Sequence, residues 1–123
     1  MNSTDKNINK NNDAKYRAVF ENMLDAFVFV DIDGKIIEYN KAYRDMLGYA
    51  DDELKNMNFR DITPKKWLTF EENIIKNQLI ATGHSQVYEK EYIKKDGTIF
   101  PIELRTHLIK NEGGGIESMC AII

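Results

Sequence analysis

Residues 88–106 read YEKEYIKKDGTIFPIELRT, a pattern typical of two β-strands joined by a tight turn. Aromatic and aliphatic residues alternate with charged residues on both sides of Asp96-Gly97. A two-residue turn would place Tyr88 opposite Arg105 and would mix apolar and charged side chains on each face. A three-residue loop, Lys95-Asp96-Gly97 with Gly97 in the left-handed conformation, separates them. We therefore predict a hairpin with the three-residue loop.

The predicted register gives this hairpin one largely apolar face and one charged face. The first face holds Tyr88, Lys90, Tyr92, Phe100, Ile102, Leu104 and Thr106. The second face holds Glu89, Glu91, Glu103, Arg105 and His107. Lys90 is therefore the one charged residue on a face that otherwise suits a core.

The earlier stretch VDIDGKIIEYN, residues 30–40, is built in the same way around Asp33-Gly34. The same loop would sort the neighbouring residues into two faces that are both apolar. These faces hold Phe27, Phe29, Ile37 and Tyr39 on one side, and Ala26, Val28, Val30 and Ile36 on the other. One face is expected to cover the core, and the other to be covered by a helix or a partner chain.

The rest of the chain shows helical patterns followed by extended ones. Helices are predicted at 13–24, 40–49 and 63–83, and further strands at 86–94, 98–109 and 116–123. Asn40 and Thr63 are the expected N-caps of the second and third helices. Gly48 and Gly83 are their expected ends. This order predicts an α+β domain with an antiparallel sheet.

The composition describes one folded domain of 123 residues, with 42% hydrophobic and 30% charged residues. A net charge of −3 gives no reason to expect nucleic-acid binding. No apolar run approaches the ~20 residues that span a bilayer, so no membrane insertion is expected. The single Cys120 cannot form an internal disulfide, which favours a cytoplasmic location.

The two ends of the sequence differ in character. Residues 1–13 are rich in Asn and are predicted to be a disordered leader or linker, so that the folded domain covers 14–123. At the other end, the strand pattern stops at Ile123 without a polar tail. We therefore expect the domain to be a module of a longer protein.

Four segments, in this order and spacing, resemble the PAS sensory domains of bacterial and archaeal signalling proteins. They are DAFVFVDIDGKIIEYN (25–40), AYRDMLGYADDEL (42–54), FRDITP (59–64) and the hairpin at 88–106. The resemblance covers about residues 14–123. It implies a five-stranded antiparallel sheet with the first strand in the centre beside the last, an N-terminal helix, and further helices packed over one face.

The resemblance also implies a ligand pocket between those helices and the sheet. Its expected lining is Val28, Val30, Tyr43, Met46, Trp67, Phe70, Ile74, Tyr88, Lys90, Tyr92, Ile102, Leu104, Thr106 and Met119. Ala121 is also expected to point inward. Phe27, Phe29, Cys120 and Ile122 are expected to point away from the pocket.

An inward Lys90 needs an explanation, because an unpaired buried ammonium is costly or loses its proton. One possibility is an internal carboxylate, with Glu38 as the nearest candidate. A second, which we favour, is that the side chain extends to the pocket entrance and stays hydrated. A third is that Lys90 binds the carboxylate or phosphate of a bound anion.

The sequence departs from the cofactor-binding branches of the family. Residues 64–82 contain no His that could be the axial ligand of a haem, and residues 26–115 contain no Cys that could hold a flavin or chromophore covalently. Trp67 leaves a noncovalent flavin open. His84 and His107 are interpreted as surface residues, so no metal site is expected. No nucleophile, base and oxyanion donor come together, so no enzyme is predicted.

The expected function is that of a PAS module which senses a small ligand and signals to an output domain, such as a histidine kinase or diguanylate cyclase. A homodimer is expected through Tyr16, Val19, Phe20, Met23, Phe27, Phe29, Ile37, Tyr39 and Ile122. Alternatively, the N-terminal helix folds onto its own sheet and the protein stays monomeric. Two other functions remain open: a ligand-free module for protein association, and a small α+β enzyme.

Overall fold

The computed structural model describes the backbone of residues 3–123 and the side chains of residues 12–123. The helices are α1 (Ser3–Asn22), α2 (Lys41–Leu47), α3 (Asp51–Leu54) and α4 (Leu68–Ile74), and α4 continues into a π-helical segment at Ile75–Ile80. Short 3₁₀ turns lie at Phe59–Ile62 and Lys65–Trp67. The strands are β1 (Phe27–Val30), β2 (Ile36–Tyr39), β3 (Tyr88–Ile93), β4 (Ile99–Lys110) and β5 (Ile116–Ile122). The predicted α+β class is confirmed.

The five strands form one antiparallel sheet in the order β2-β1-β5-β4-β3. The expected contact between the first and last strands is present, but the central strand is β5 rather than β1. Helices α2 to α4 lie over the inner face of the sheet, and the core between them contains side chains of both layers. No helix among the described residues is long and apolar enough to cross a lipid bilayer.

The β3–β4 hairpin has the predicted register. Tyr92 lies opposite Phe100 and Lys90 lies opposite Ile102. Gly97 has a φ of 90°, the left-handed conformation that the three-residue loop requires. The alternation of apolar and charged residues was sufficient to determine this register, because any shift by one residue would have buried the charged face.

The β1–β2 hairpin starts in the predicted register but does not keep it. Val30 lies opposite Ile36 as predicted, but Ile37 has no partner and forms a β-bulge. From Glu38 onward, every β2 side chain therefore points to the face opposite to the predicted one. Tyr39 is buried beneath the helices, so its expected place on the outer face is wrong. Glu38 lies on the outer face, so the prediction that it points inward is also wrong.

Helix α1 covers part of the outer face of its own sheet. Phe20 is 6% exposed, and its ring centroid lies 5.5 Å from that of Phe27 and 5.9 Å from that of Phe29. Tyr16 and Val19, in contrast, are 48% and 67% exposed. The helix thus folds onto its own sheet, as in the monomeric alternative, but leaves an apolar strip in water.

The bounds of α1 differ from the predicted helix at 13–24. The helix runs from Ser3 to Asn22, so its backbone is helical over most of the segment that was predicted to be an irregular leader. Residues 12–19 are exposed. This part of α1 is therefore a helix that projects from the domain rather than part of the core. The boundary at residue 13 between a leader and a folded domain stays a prediction.

The predicted long helix at 63–83 is divided. Thr63 is not its N-cap: it ends the preceding 3₁₀ turn, and its hydroxyl donates a hydrogen bond to the carbonyl oxygen of Phe59 at 2.8 Å. Pro64 then separates this turn from the next, so that α4 begins only at Leu68. The expected end at Gly83 is confirmed, with a φ of 90°. This division changes which side chains of the segment face the sheet.

Candidate functional site: a buried ion pair beside a small cavity

A cluster of four buried polar residues lies between β3 and α4, and we call Thr63, Glu71, Tyr88 and Lys90 the polar cluster. Lys90 Nζ donates to Glu71 Oε1 at 2.6 Å and to Thr63 Oγ1 at 3.0 Å. The other oxygen of Glu71, Oε2, accepts a hydrogen bond from the Tyr88 hydroxyl at 2.6 Å. One carboxylate therefore binds an ammonium and a phenol that lie two residues apart on the same strand.

The sequence places these donors side by side because alternate residues of a strand share a face. Tyr88, Lys90 and Tyr92 all point inward from β3. The side chain of Lys90 is 1% exposed and that of Glu71 is 4% exposed. Lys90 Nζ also lies 4.9 Å from the ring centroid of Tyr92 and 5.2 Å from that of Phe59. The ammonium is thus enclosed by a carboxylate, a hydroxyl and two aromatic faces.

Burial dominates the electrostatics of the cluster. It lowers the pKa of the Lys90 ammonium, while the Glu71 carboxylate acts in the opposite direction. Burial also raises the pKa of the Tyr88 hydroxyl far above its usual range, and the charge of Glu71 raises it further. Tyr88 is consequently a neutral hydrogen-bond donor throughout the physiological pH range.

Glu71 reaches the cluster from a short and mostly exposed helix. Within α4, Glu71 and Ile74 are buried, whereas Phe70 is 44% exposed. The following π-helical segment contributes Leu79 to the core. π-Helical turns are rare and occur frequently at functional sites. Few side chains therefore attach α4 to the sheet, and one of them is Glu71, through its ion pair with Lys90.

A cavity of about 40 Å³ lies between the sheet and the α4–π segment, directly beside the polar cluster. Eight of the fourteen predicted pocket residues line it: Val28, Val30, Tyr88, Lys90, Tyr92, Leu104, Thr106 and Met119. Ala121, which was expected to point inward, lines it too. The further lining residues are Phe59, Glu71, Ile75, Leu79 and Cys120, and the last of these was expected to point away from the pocket.

Six predicted pocket residues lie elsewhere. Tyr43, Ile74 and Ile102 are buried in the core outside the cavity lining. Met46 is half-buried beside a surface groove near Lys95. Trp67 and Phe70 pack against each other at the edge of the sheet, where the Trp67 indole donates to Glu91 Oε1 at 2.8 Å. Trp67 is therefore not a wall of the cavity.

The observed partner of Lys90 differs from the one expected from the sequence. An internal carboxylate was one of the three possibilities, but the candidate was Glu38 and the favoured alternative was a hydrated side chain. The structure shows Glu71 instead, and the fully buried Nζ contradicts the hydrated alternative. The sequence did indicate that Glu71 faces the sheet, since Glu71 lies three residues before Ile74 and thus on the same helical stripe. A buried Lys and a Glu on an apolar stripe could have been paired from sequence.

The remaining candidate groups do not form a second site. His84 and His107 are exposed and lie directly opposite each other across an isolated β-bridge. Among the residues with described side chains, no three His, Cys, Asp or Glu come together as metal ligands. Cys120 is buried, and burial raises the pKa of its thiol. A buried thiol with a raised pKa is typical of an inert packing residue.

The chain is similar to known proteins in both sequence and structure. Residues 14–123 match the sequence model of the protein family described as the PAS fold. The chain belongs to the PAS family. Its five-stranded sheet also matches that of solved PAS domains: a PAS domain from Colwellia psychrerythraea superposes with a TM-score of 0.80 at 24% identity, over 89% of this chain and 92% of that chain. The predicted family and fold are thus confirmed.

Two curated relatives are sensors. The methyl sulfide methyltransferase-associated sensor of Methanosarcina acetivorans is 29% identical over 106 residues, which is 85% of this chain and 10% of that protein. The sensor histidine kinase TmoS of Ectopseudomonas mendocina is 26% identical over 86 residues, which is 70% of this chain and 9% of that protein. This PAS domain therefore spans about a tenth of the length of these relatives.

Proposed function

We propose that this PAS domain is the sensory module of a cytoplasmic signal-transduction protein and binds a small molecule in the cavity between α4 and the sheet. The observation that supports the proposal is the buried Glu71–Lys90 pair that borders the cavity. Replacing a buried ion pair with apolar residues is often neutral or stabilising, so such a pair is weak evidence for stability. Beside a cavity, it suits recognition of a polar ligand group.

Ligand binding would have to move part of the domain. The cavity of about 40 Å³ is much smaller than the ~300–1,000 Å³ of typical small-molecule sites. The sheet is held by continuous strand pairing, whereas α4 and the π-helical segment are exposed at Phe70 and Ile80. The α4–π segment is therefore the wall that a ligand would displace.

The central strand offers a route for the signal. Met119 and Ala121 line the cavity, and both belong to β5, which runs on to the C-terminal end of the domain. A change at the cavity wall would thus reach the strand that leads out of the sheet. We infer a covalently linked output domain, such as a histidine kinase or a diguanylate cyclase, because the relatives are much longer sensors and one of them is a histidine kinase.

The proposal includes neither haem nor a covalently bound flavin. It rests on residues 64–82, which lack a His, and on residues 26–115, which lack a Cys. The visible absorption spectrum of freshly purified protein tests it. A Soret band would contradict the first part, and a flavin that stays attached after denaturation would contradict the second.

A second candidate function is protein association without a ligand. The small cavity volume favours it, because the cavity lined by Phe59, Tyr88 and Tyr92 is only about 40 Å³. This candidate shares the fold and the output domain with the first. It differs in that no small molecule changes its stability. We do not propose an enzyme, since the family to which the chain belongs is sensory.

A thermal-shift screen of a broad metabolite library tests the leading proposal. The double variant Glu71→Leu/Lys90→Met is the matched control, because it replaces the ion pair with apolar side chains of similar volume. We expect at least one compound to raise the melting temperature of the wild-type chain and not that of the variant. If no compound shifts either protein, association without a ligand becomes the better account.

A further inference from the structure

Glu71 occupies a ready-made carboxylate site. Its two oxygens bind different donors, Lys90 Nζ and the Tyr88 hydroxyl, each at 2.6 Å. Such charge-assisted bonds to both oxygens of one carboxylate are among the strongest hydrogen bonds in proteins. The donors belong to the rigid sheet, whereas the acceptor belongs to α4. The carboxylate is thus the movable half of the pair.

The surroundings of the site restrict what else could bind there. Apolar walls flank it on the cavity side, with Val28, Leu79 and Leu104 among the lining residues. The donors number two, Lys90 and Tyr88, one for each oxygen of a carboxylate, because the Thr63 hydroxyl accepts from Lys90 and donates to the Phe59 carbonyl oxygen. A phosphate would bring additional charged oxygens for which these two groups offer too few donors.

We propose that the ligand of this PAS domain is a short-chain aliphatic monocarboxylate, and that its carboxylate displaces Glu71 from Lys90 and Tyr88. This inference rests on the proposed function and names its ligand class. In the unliganded state Glu71 acts as an internal competitor that holds α4 against the sheet. In the bound state the apolar tail of the ligand lies against the cavity walls, and α4 loses its ionic contact with β3.

Internal competition has a consequence for affinity. A site that is accessible only when Glu71 has left binds with an affinity reduced by the fraction of molecules in that open state. Removing the competing carboxylate should therefore strengthen binding rather than abolish it. A conventional binding residue would behave in the opposite way, and this opposite sign is what makes the inference testable.

Propionate is the probe, titrated into the wild-type chain, Glu71→Gln and Glu71→Ala, with chloride keeping the ionic strength constant. Glu71→Gln keeps the side-chain volume but removes the competing charge, and Glu71→Ala leaves space for the added carboxylate. We expect both variants to bind propionate at least about tenfold more tightly than the wild-type chain. Glu72→Gln is the matched control, because Glu72 is the exposed neighbour of Glu71 on α4, and it should behave as wild type.

Two further compounds test the chemistry of the site. Propionamide has nearly the shape of propionate but lacks the charge that Lys90 requires, and succinate would place a second carboxylate against apolar walls. Neither should stabilise Glu71→Ala. Binding of propionamide as strongly as propionate would show a cavity that fills with any small molecule and would overturn the inference.

The wild-type chain gives a decisive result even if the variants do not fold. In amide NMR spectra, propionate should shift the signals of Lys90, Tyr88 and α4 together at saturating concentration. Absence of any propionate-dependent shift overturns the inference, as does equal affinity of the wild-type chain and a folded Glu71→Gln. If the thermal-shift screen instead identifies a ligand without a carboxylate, the proposed sensory function stands and the ligand class is wrong.

Discussion

Lys90 is the residue on which the proposed ligand recognition depends. Its position on the inner face of β3 follows from the sequence, since the alternation in the hairpin at 88–106 is unambiguous. Its partner does not follow as directly. Glu38 was the candidate partner because the predicted register placed it on the inner face of β2, and the bulge at Ile37 turns it to the outer face.

The two members of the ion pair are expected to be strongly coupled. Lys90→Met leaves the Glu71 carboxylate buried without its cation, which should reduce the free energy of unfolding by about 3–5 kcal/mol. Adding Glu71→Leu to that variant removes the uncompensated charge and should recover most of this loss. Urea denaturation of the wild type, both single variants and the double variant measures the coupling. Additive losses would show that the two side chains act independently.

The Tyr39 hydroxyl is expected to control the titration of Asp51. It donates to Asp51 Oδ1 at 2.5 Å, and this bond, followed by that from Arg44, lowers the pKa of the Asp51 carboxyl. Burial and the same bond raise the pKa of Tyr39 to about 12. Tyr39→Phe should therefore raise the pKa of Asp51 towards its ordinary value. NMR titration of the carboxyl carbon measures it, with Arg44→Lys as a milder comparison.

The lowered pKa of Asp51 determines how the stability of the fold depends on pH. A carboxyl whose folded pKa lies below its unfolded value stabilises the fold above the unfolded pKa and loses that contribution as the pH falls through the folded pKa. The unfolded value for Asp is 3.8, so the loss falls in the acid range below about pH 4. Tyr39→Phe should weaken this acid dependence. An unchanged acid unfolding profile would contradict the role assigned to the Tyr39 bond.

At the scale of elements, the two Asp-Gly hairpins show how far sequence patterns determine structure. Both were predicted to have three-residue loops, and Gly34 and Gly97 both have a φ of 90°. The second hairpin keeps its predicted register because one face is charged. The first has apolar residues on both faces, so nothing in its sequence distinguishes the regular register from the one with a bulge at Ile37.

The same two glycines are expected to respond differently to substitution. In Gly97→Ala the added Cβ meets no atom within 4 Å. The variant should lose only about 1–2 kcal/mol of unfolding free energy, because a residue with a Cβ is strained in the left-handed conformation. Gly34→Ala has the same backbone cost, but its Cβ would also lie 2.7 Å from the Phe59 ring and 2.7 Å from Asn58 Oδ1. It should be clearly more destabilising. Equal urea midpoints for the two variants would show that the first loop is free to move away from the 3₁₀ turn.

At the scale of the whole molecule, the outer surface suggests self-association. Tyr16 and Val19 on α1 are exposed, and so is Ile37 on β2, although Phe20 already covers part of the sheet. Of the interface residues expected from sequence, Tyr16, Val19 and Ile37 are exposed, whereas Phe20 is buried against the outer face and Tyr39 inside the core. An exposed apolar strip of this kind marks protein–protein contacts.

The chain is accordingly expected to sediment as a dimer. Val19→Glu should give a monomer that remains folded, because Val19 is 67% exposed and contributes little to the core. Arg17→Ala is the control, since it makes the same change in net charge at an exposed position of α1 and should stay dimeric. Sedimentation as a monomer by the wild-type chain at high concentration would rule out the dimer.

Much of the whole-molecule architecture could be predicted, and the size of the cavity could not. The order of strands and helices, together with the motifs at 25–40 and 88–106, indicated the PAS fold and the inward face of the sheet. The volume of the cavity depends on how closely α4 approaches the sheet. That distance depends on the Glu71–Lys90 contact and on the division of the predicted long helix, and neither was predicted from the sequence.

The central claim is that this PAS domain senses a small molecule held beside Lys90 and Glu71. Native mass spectrometry of the wild-type chain and of Glu71→Leu/Lys90→Met, both purified from the same host, tests it most directly. The account predicts that the wild-type chain carries or takes up a small molecule that the double variant does not. Both proteins are expected to be dimers. If each protein instead has only the mass of its own bare polypeptide, even after incubation with host metabolites, the result would contradict it.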